Sequence, residues 1–172
     1  MKPIPPTAEI LAFKMLGQNV NKRWIAWAYD MLEAGFESEN LVILAGEVEP
    51  YNQFELRSLT DKVFTELNLS WENRELVYKD YVCYLVTKAL DNELKAESVL
   101  NALKDIYIKS NYEPPLHDFY LLYFAFEDLK YSENQWYWDV INTGIGRYAT
   151  REEAIEEAKE WAEADGIELR IQ

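Results

Sequence analysis

His117 is the only histidine of the chain and Cys83 the only cysteine, which limits nucleophilic and metal chemistry before any geometry enters. The dipeptide His117-Asp118 has the residue types of a phosphohydrolase ligand pair. Such centres gather several His and Asp ligands from different helices, and one imidazole does not supply them. After Pro114-Pro115 the pair suits the first turn of a helix, where Asp118 meets the positive end of the helix dipole. A single cysteine forms no intrachain disulfide and no cage of several thiolates. In the apolar run Tyr81-Val82-Cys83-Tyr84-Leu85-Val86 it reads as a buried structural thiol. No serine sits in a nucleophile elbow, and no Cys–His pair is available for covalent hydrolysis. Asn142-Thr143-Gly144-Ile145-Gly146-Arg147 contains Gly-x-Gly without the strand-loop-helix setting or Lys-Ser/Thr of a phosphate loop, so it reads as a turn. The expectation is therefore no catalytic residue, no cofactor and no metal ligand.

Carboxylates are abundant, with 31 Asp and Glu against 17 Lys and Arg, a formal net charge of −14. No Asp-x-Asp-x-Asp-Gly loop or inward Glu-x-x-His pair organises them into a cation site. Asp80, Asp91, Asp118 and Asp128, borne on apolar helices, are the candidates for the alternative reading, a carboxylate or divalent-metal enzyme. The acids Glu152, Glu153, Glu156, Glu157, Glu160 and Glu163 read as a solvated face. This charge repels nucleic-acid phosphates and anionic headgroups, so neither nucleic acid nor membrane is an expected partner. No apolar stretch reaches membrane-spanning length and the opening residues lack a signal-peptide core, which points to a cytoplasmic protein. Aromatic residues make up 15% of the chain, more than a small core needs, and rings set among acids are good anchors for a basic protein partner. Trp27, Tyr51 and Tyr137 lie off the main apolar stripes and are the expected partner-binding residues. Trp136, Trp138 or an open sheet edge offers a further alternative, a homodimer.

The elements that would position these residues are mostly helical. Thr7 is expected to cap a helix from about Ala8 to Leu16, closed by Gly17. Trp24, Ile25, Ala28, Met31 and Leu32 form one stripe ending at Gly35. Ser38 opens a shorter helix with Leu41, Val42, Leu44 and Ala45, and Asn52 with Glu55 opens another that carries Leu56, Leu59, Val63, Phe64 and Leu67. Residues 73–90 are apolar almost all round and read as the central helix. Val99, Leu100, Leu103, Ile106 and Tyr107 mark the next, and Phe119, Leu122, Tyr123, Phe126 and Leu129 the last of seven. Short connections favour antiparallel packing, either a multi-helix bundle or an array of helical hairpins. From Gln135 the period changes to two, a glycine-rich turn follows, Thr150 and Glu153 form a capping box, and Ile167, Leu169 and Ile171 alternate. The predicted fold class is thus mainly α (α+β): a helical domain over 1–134 and a β-β-α-β segment over 135–172 packed on it.

Residues 136–172, above all Arg147-Tyr148-Ala149-Thr150-Arg151-Glu152-Glu153-Ala154-Ile155-Glu156-Glu157-Ala158, resemble short β-β-α-β modules of uncharacterised bacterial proteins. The stretch from Trp24 to Leu44, with Phe36-Glu37-Ser38 after its Trp-rich helix, resembles the start of small acidic helical bacterial proteins of unknown function, among them suspected toxin-immunity proteins. The first resemblance implies a shape and no activity, and neither transfers a functional residue; the lack of catalytic motifs, with the acidic surface and the aromatics, is what predicts a non-enzymatic binding protein, of inhibitor or immunity type, for a basic partner.

Overall fold

The computed structural model describes residues 2–132, 135 and 137. The expected hairpin, the capped helix after Thr150 and the last strand lie outside the described residues. Among the described residues the chain is mainly α, with seven α-helices, one 3-10 turn and no strand. The helices are α1 (Thr7–Met15), α2 (Lys22–Glu33), α3 (Glu39–Ala45), α4 (Gln53–Glu66), α5 (Arg74–Leu90), α6 (Ala96–Lys109) and α7 (His117–Asp128). The 3-10 turn Pro114–Leu116 leads directly into α7.

The starts of α2, α3 and α4 follow side-chain capping. Asn21 accepts from the Arg23 amide, Ser38 from the Leu41 amide and Asn52 from the Phe54 amide, each satisfying a donor that has no partner within its helix. Five of the seven helix ends share one device. The amides of Gln18, Phe36, Leu69, Glu93 and Tyr112 reach back to the carbonyls of Phe13, Met31, Phe64, Lys88 and Tyr107. The residue before each of these donors has positive φ: Gly17 at 64°, Gly35 at 86°, Asn68 at 53°, Asn92 at 59° and Asn111 at 61°. Glycine and asparagine adopt this left-handed conformation at least cost, which lets the chain leave the helix sharply while satisfying its last carbonyls.

The chain divides into two units, 1–77 and 78–172. The boundary expected at 134/135 lies outside the described residues. A division between Val77 and Tyr78 falls inside the continuous helix α5, where no proline or glycine marks it.

In the first unit α1 to α4 close on a core of Trp24, Trp27, Met31, Leu41, Leu44, Leu56, Val63 and Phe64, among others. The Phe64 ring is its hub. Trp24 stacks on it with centroids 6.0 Å apart, Trp27 meets it edge-on at 5.9 Å, and Trp71 lies against it at 5.2 Å. Lys14 ties α1 to α4: its ammonium donates to the Arg57 carbonyl and the Thr60 hydroxyl, pairs with Asp61 at 2.7 Å, and faces the Trp71 ring at 5.5 Å. Thr7 departs from expectation. The helix begins at Thr7 itself, Pro6 occupies the cap position without a side-chain bond, and Thr7 is buried. Its hydroxyl accepts from Trp27 Nε1 at 3.0 Å and donates to Met31 Sδ at 3.7 Å. A tertiary partner for the indole N–H outweighs local capping here, because a buried donor left unpaired is the costlier outcome.

In the second unit α5 buries Tyr78, Tyr81, Val82, Leu85, Val86 and Ala89 along one broad face. Asp80 is exposed and Lys79, Thr87 and Lys88 are half-buried, so the helix is not covered all round. Helices α6 and α7 pack on each other, with Val99, Leu100, Leu103, Ile106 and Tyr107 buried on α6 and Phe119, Leu122 and Ala125 on α7. Lys130 bridges them through ion pairs with Glu97 and Glu127, both exposed enough that solvent screening leaves them little energetic weight.

Candidate functional site

The three residues expected to touch a partner have separate fates. Trp27 is 2% exposed and belongs to the core, its indole N–H bound to Thr7, so it forms no part of a binding surface. The misreading has a physical source: residues 24, 27, 28 and 31 share one buried arc of α2, and Trp27 broadens the stripe that begins at Trp24. Tyr51 is half-buried and packs on the same first-unit core. Tyr137 is 42% exposed and lies tilted against Phe124 of α7, with ring centroids 5.3 Å apart. Trp136 and Trp138, the homodimer candidates, lie outside the described residues.

Tyr137 ends a chain of ring contacts in the second unit. Tyr112 meets Tyr107 edge-on at 5.3 Å, Tyr107 lies against Tyr120 at 4.9 Å, and Tyr120 against Phe124 at 5.0 Å. His117 opens α7 as expected, and its Nδ1 is hydrogen-bonded to the Tyr107 hydroxyl at 2.7 Å. Burial raises the pKa of the Tyr107 phenol, helped by Tyr120 and Tyr112, so the phenol stays neutral. The pair joins the α6 end to the α7 start. Buried Ser110 adjoins the pair, its hydroxyl donating to the Tyr107 carbonyl at 2.9 Å.

The acids of the enzyme alternative do not converge. Asp118 and Asp128 open and close α7, about 15 Å apart along the axis. Asp80, Asp91 and Asp118 are exposed. Among the described residues no group of three His, Cys, Asp or Glu side chains is placed to hold a metal ion. Cys83 is half-buried where a buried thiol was expected. Burial first, then the charge of Asp80, pushes its thiol pKa up to about 11. Reaction with a thiolate-selective disulfide reagent at pH 8 is expected to run roughly a hundredfold slower than for a free thiol, because only the thiolate attacks. A free-thiol rate, read from absorbance with time, would contradict that.

The surface feature that the sequence reading missed lies in the first unit. Tyr29, Val42, Ile43, Val48 and Phe54 are all exposed, and all fall between Trp24 and Leu56. This stretch contains Asp30, Glu33, Glu37, Glu39, Glu47, Glu49 and Glu55 and not one Lys, Arg or His. Val42 was expected on the buried stripe of α3. A seven-residue helix needs only Leu41, Leu44 and Ala45 to cover the core, and Val42 and Ile43 face outward. A windowed count of charge and apolar residues would have flagged the segment; overall net charge spreads the same acids over the whole chain.

Side-chain hydrogen bonds anchor the helices that bear these residues at two places. Ser38 and Asn40, at the start of α3, donate to the Glu66 carboxylate at the end of α4, so the start of α3 lies against the end of α4. Those donated hydrogen bonds hold the Glu66 carboxyl below its ordinary pKa. At the start of α4 Gln53 turns inward. Its Oε1 accepts from the Val20 amide and its Nε2 donates to the Val20 carbonyl, both at 2.8 Å. With Gln53 and Leu56 directed at the body, Phe54 projects away from it and is 88% exposed.

Among the described residues no helix is long and apolar enough to cross a membrane. No family model matches the chain, and neither the curated proteins nor the solved structures contain a significant match to it.

Proposed function

We propose that this protein is a non-enzymatic binding module that acts by engaging a basic protein partner, in the manner of an inhibitor or immunity protein. The observation that carries the reading is the concentration of exposed apolar side chains in a stretch of the first unit that holds seven acids and no base. Apolar side chains supply contact energy once desolvated, whereas like-signed charge around them steers encounter and rejects wrong partners. An exposed ring such as Phe54 does nothing for folding, and clustered exposed apolar residues mark interaction surfaces. The formal charge of −14 strengthens attraction to a cationic protein at low ionic strength.

The test is affinity capture from native lysate with the full chain, at about 50 mM and about 500 mM salt, where the Debye length shortens several-fold. The expected result is one basic protein retained at low salt and depleted at high salt, identified by mass spectrometry. Capture of nothing basic at either salt would overturn the reading.

A further inference from the structure

We infer that the aromatic strip along α7 is a docking surface for an arginine-bearing segment of a basic protein, whose guanidinium groups lie on Tyr120 and Phe124 and pair with Asp128. The inference rests on the basic-partner reading above for the charge of the partner, and it stands on a separate surface, in the second unit.

Ring contacts make the strip continuous in space. His117, Tyr120 and Phe124 stand at i, i+3 and i+7 of α7 and share one face, whereas the buried residues Phe119, Leu122 and Ala125 lie on the opposite side. Tyr120 and Phe124 meet at 5.0 Å, and Tyr137 continues the row against Phe124 at 5.3 Å. At the other end buried Tyr107 touches His117 at 5.6 Å, Tyr120 at 4.9 Å and Tyr112 at 5.3 Å, which joins the exposed Tyr112 ring to the row. His117 is exposed, and Tyr120 and Phe124 are half-buried, so each ring keeps part of its surface in solvent.

Charge selects the occupant. Asp128 follows Phe124 by one helical turn on the same face, and exposed Asp118 adjoins His117. Helix α7 carries no Lys or Arg. The bases nearby are engaged or turned away: Lys130 pairs with Glu97 and Glu127, Lys104 bonds Asn101 and Asp105, and Lys109 lies about 200° round α6 from Tyr107. The Lys104 ammonium also sits 4.2 Å from the Tyr123 centroid, and the Tyr123 ring touches Phe124 at 5.2 Å, so the ring beside the strip already holds a cation of the chain itself. Among the described residues no lysine or arginine covers Tyr112, Tyr120, Phe124 or Tyr137. A guanidinium suits these rings better than an ammonium, because it is flat and weakly hydrated and can stack while donating to a carboxylate. An uncharged proline-rich segment would use the rings and gain nothing from the acids. A nucleic acid would bring phosphates to those acids, and a second copy would bring a further net charge of −14.

The experiment uses the full chain and three synthetic probes: an arginine–glycine repeat, a lysine–glycine repeat of the same length, and an uncharged proline-rich peptide. Binding is read by titration calorimetry at low and high salt. Wild type is expected to bind the arginine peptide about tenfold more tightly than the lysine peptide. Phe124→Leu is expected to weaken the arginine peptide about tenfold, Phe124→Tyr to keep it, and Asp128→Asn to flatten its salt dependence. Tyr112→Leu, at an exposed ring outside α7, checks the strip where the fold is not at stake, and circular dichroism checks the others. Hydroxyl-radical footprinting is expected to oxidise Tyr120 and Phe124 in the free protein and to show both protected by the arginine peptide. Equal affinity for the arginine and lysine peptides, preference for the proline-rich one, or wild-type affinity in both leucine variants overturns the inference. Protection of both rings in the free protein also overturns it, in favour of a second copy where light scattering shows a dimer and of residues after Tyr137 where it shows a monomer. If wild type binds no arginine peptide yet captures a basic protein from lysate, the strip is wrong and the basic-partner reading stands; if it does neither, both fall.

Discussion

Phe64→Ala is expected to remove about 3–5 kcal/mol of stability, the range for emptying a large aromatic site in a packed core. Phe64 is 0% exposed and touches three indoles, Trp24, Trp27 and Trp71, that come from α2 and from the segment after α4. Truncation to alanine therefore loses the transfer energy of the ring and also three aromatic contacts that no neighbour can replace without moving α2. Domains have only about 5–15 kcal/mol in hand, so the variant should sit near the edge of folding at room temperature. Urea unfolding followed by tryptophan fluorescence checks this directly, since the indoles against the ring are the reporters. Phe64→Leu, which keeps most of the volume, is expected to fall between wild type and alanine. A loss below about 1 kcal/mol for alanine would mean that the core relaxes into the space and that the ring is not its hub.

Thr7→Val is expected to cost about 1–3 kcal/mol although it changes neither shape nor volume appreciably. The Trp27 indole N–H is buried and has the Thr7 hydroxyl as its acceptor at 3.0 Å. Valine leaves that donor without a partner, and the penalty is the desolvation of an unmet N–H, not the net value of one hydrogen bond. The core already holds one such group: Trp24 Nε1 is buried with no hydrogen-bond partner among the described residues. Thr7→Ser, which keeps the hydroxyl, is expected to recover most of the loss. The double variant Thr7→Val, Trp27→Phe should be less destabilised than the sum of its parts, because phenylalanine brings no N–H to orphan. Strict additivity in urea melts would contradict the assignment. A helix-capping role would give a different result, since Pro6 occupies the cap and makes no side-chain bond.

Local rules were read most reliably where the chain solves a local problem. Ser38 and Asn52 cap α3 and α4 as their residue types and positions indicate, because a cap satisfies a backbone donor two or three residues away and needs nothing distant. Gly17 and Gly35 terminate α1 and α2 for the same reason. Asn68, Asn92 and Asn111 end three further helices in the left-handed conformation, and these were missed because asparagine is also common in caps, turns and exposed helix positions. The stripe on α6 was fully legible: Val99, Leu100, Leu103, Ile106 and Tyr107 are all buried.

Where two demands compete, residue type alone did not decide. Thr7 has the chemistry of a cap and serves instead as acceptor for a tryptophan 20 residues away. Trp27 and Phe54 are both large and aromatic, yet one is 2% exposed and the other 88% exposed. The difference arises from the arc each occupies once its helix is docked, and for Phe54 from the inward turn of Gln53 onto Val20. Composition and periodicity determined the mainly α class, the number of helices among the described residues and most of their ends, since these follow from backbone satisfaction and from stripes repeating every 3.6 residues. The tertiary structure alone decided which apolar residues are surplus to the core and that a unit boundary falls inside α5. Each of these depends on how helices distant in sequence fill one another's grooves, a property of packed pairs that no single segment carries.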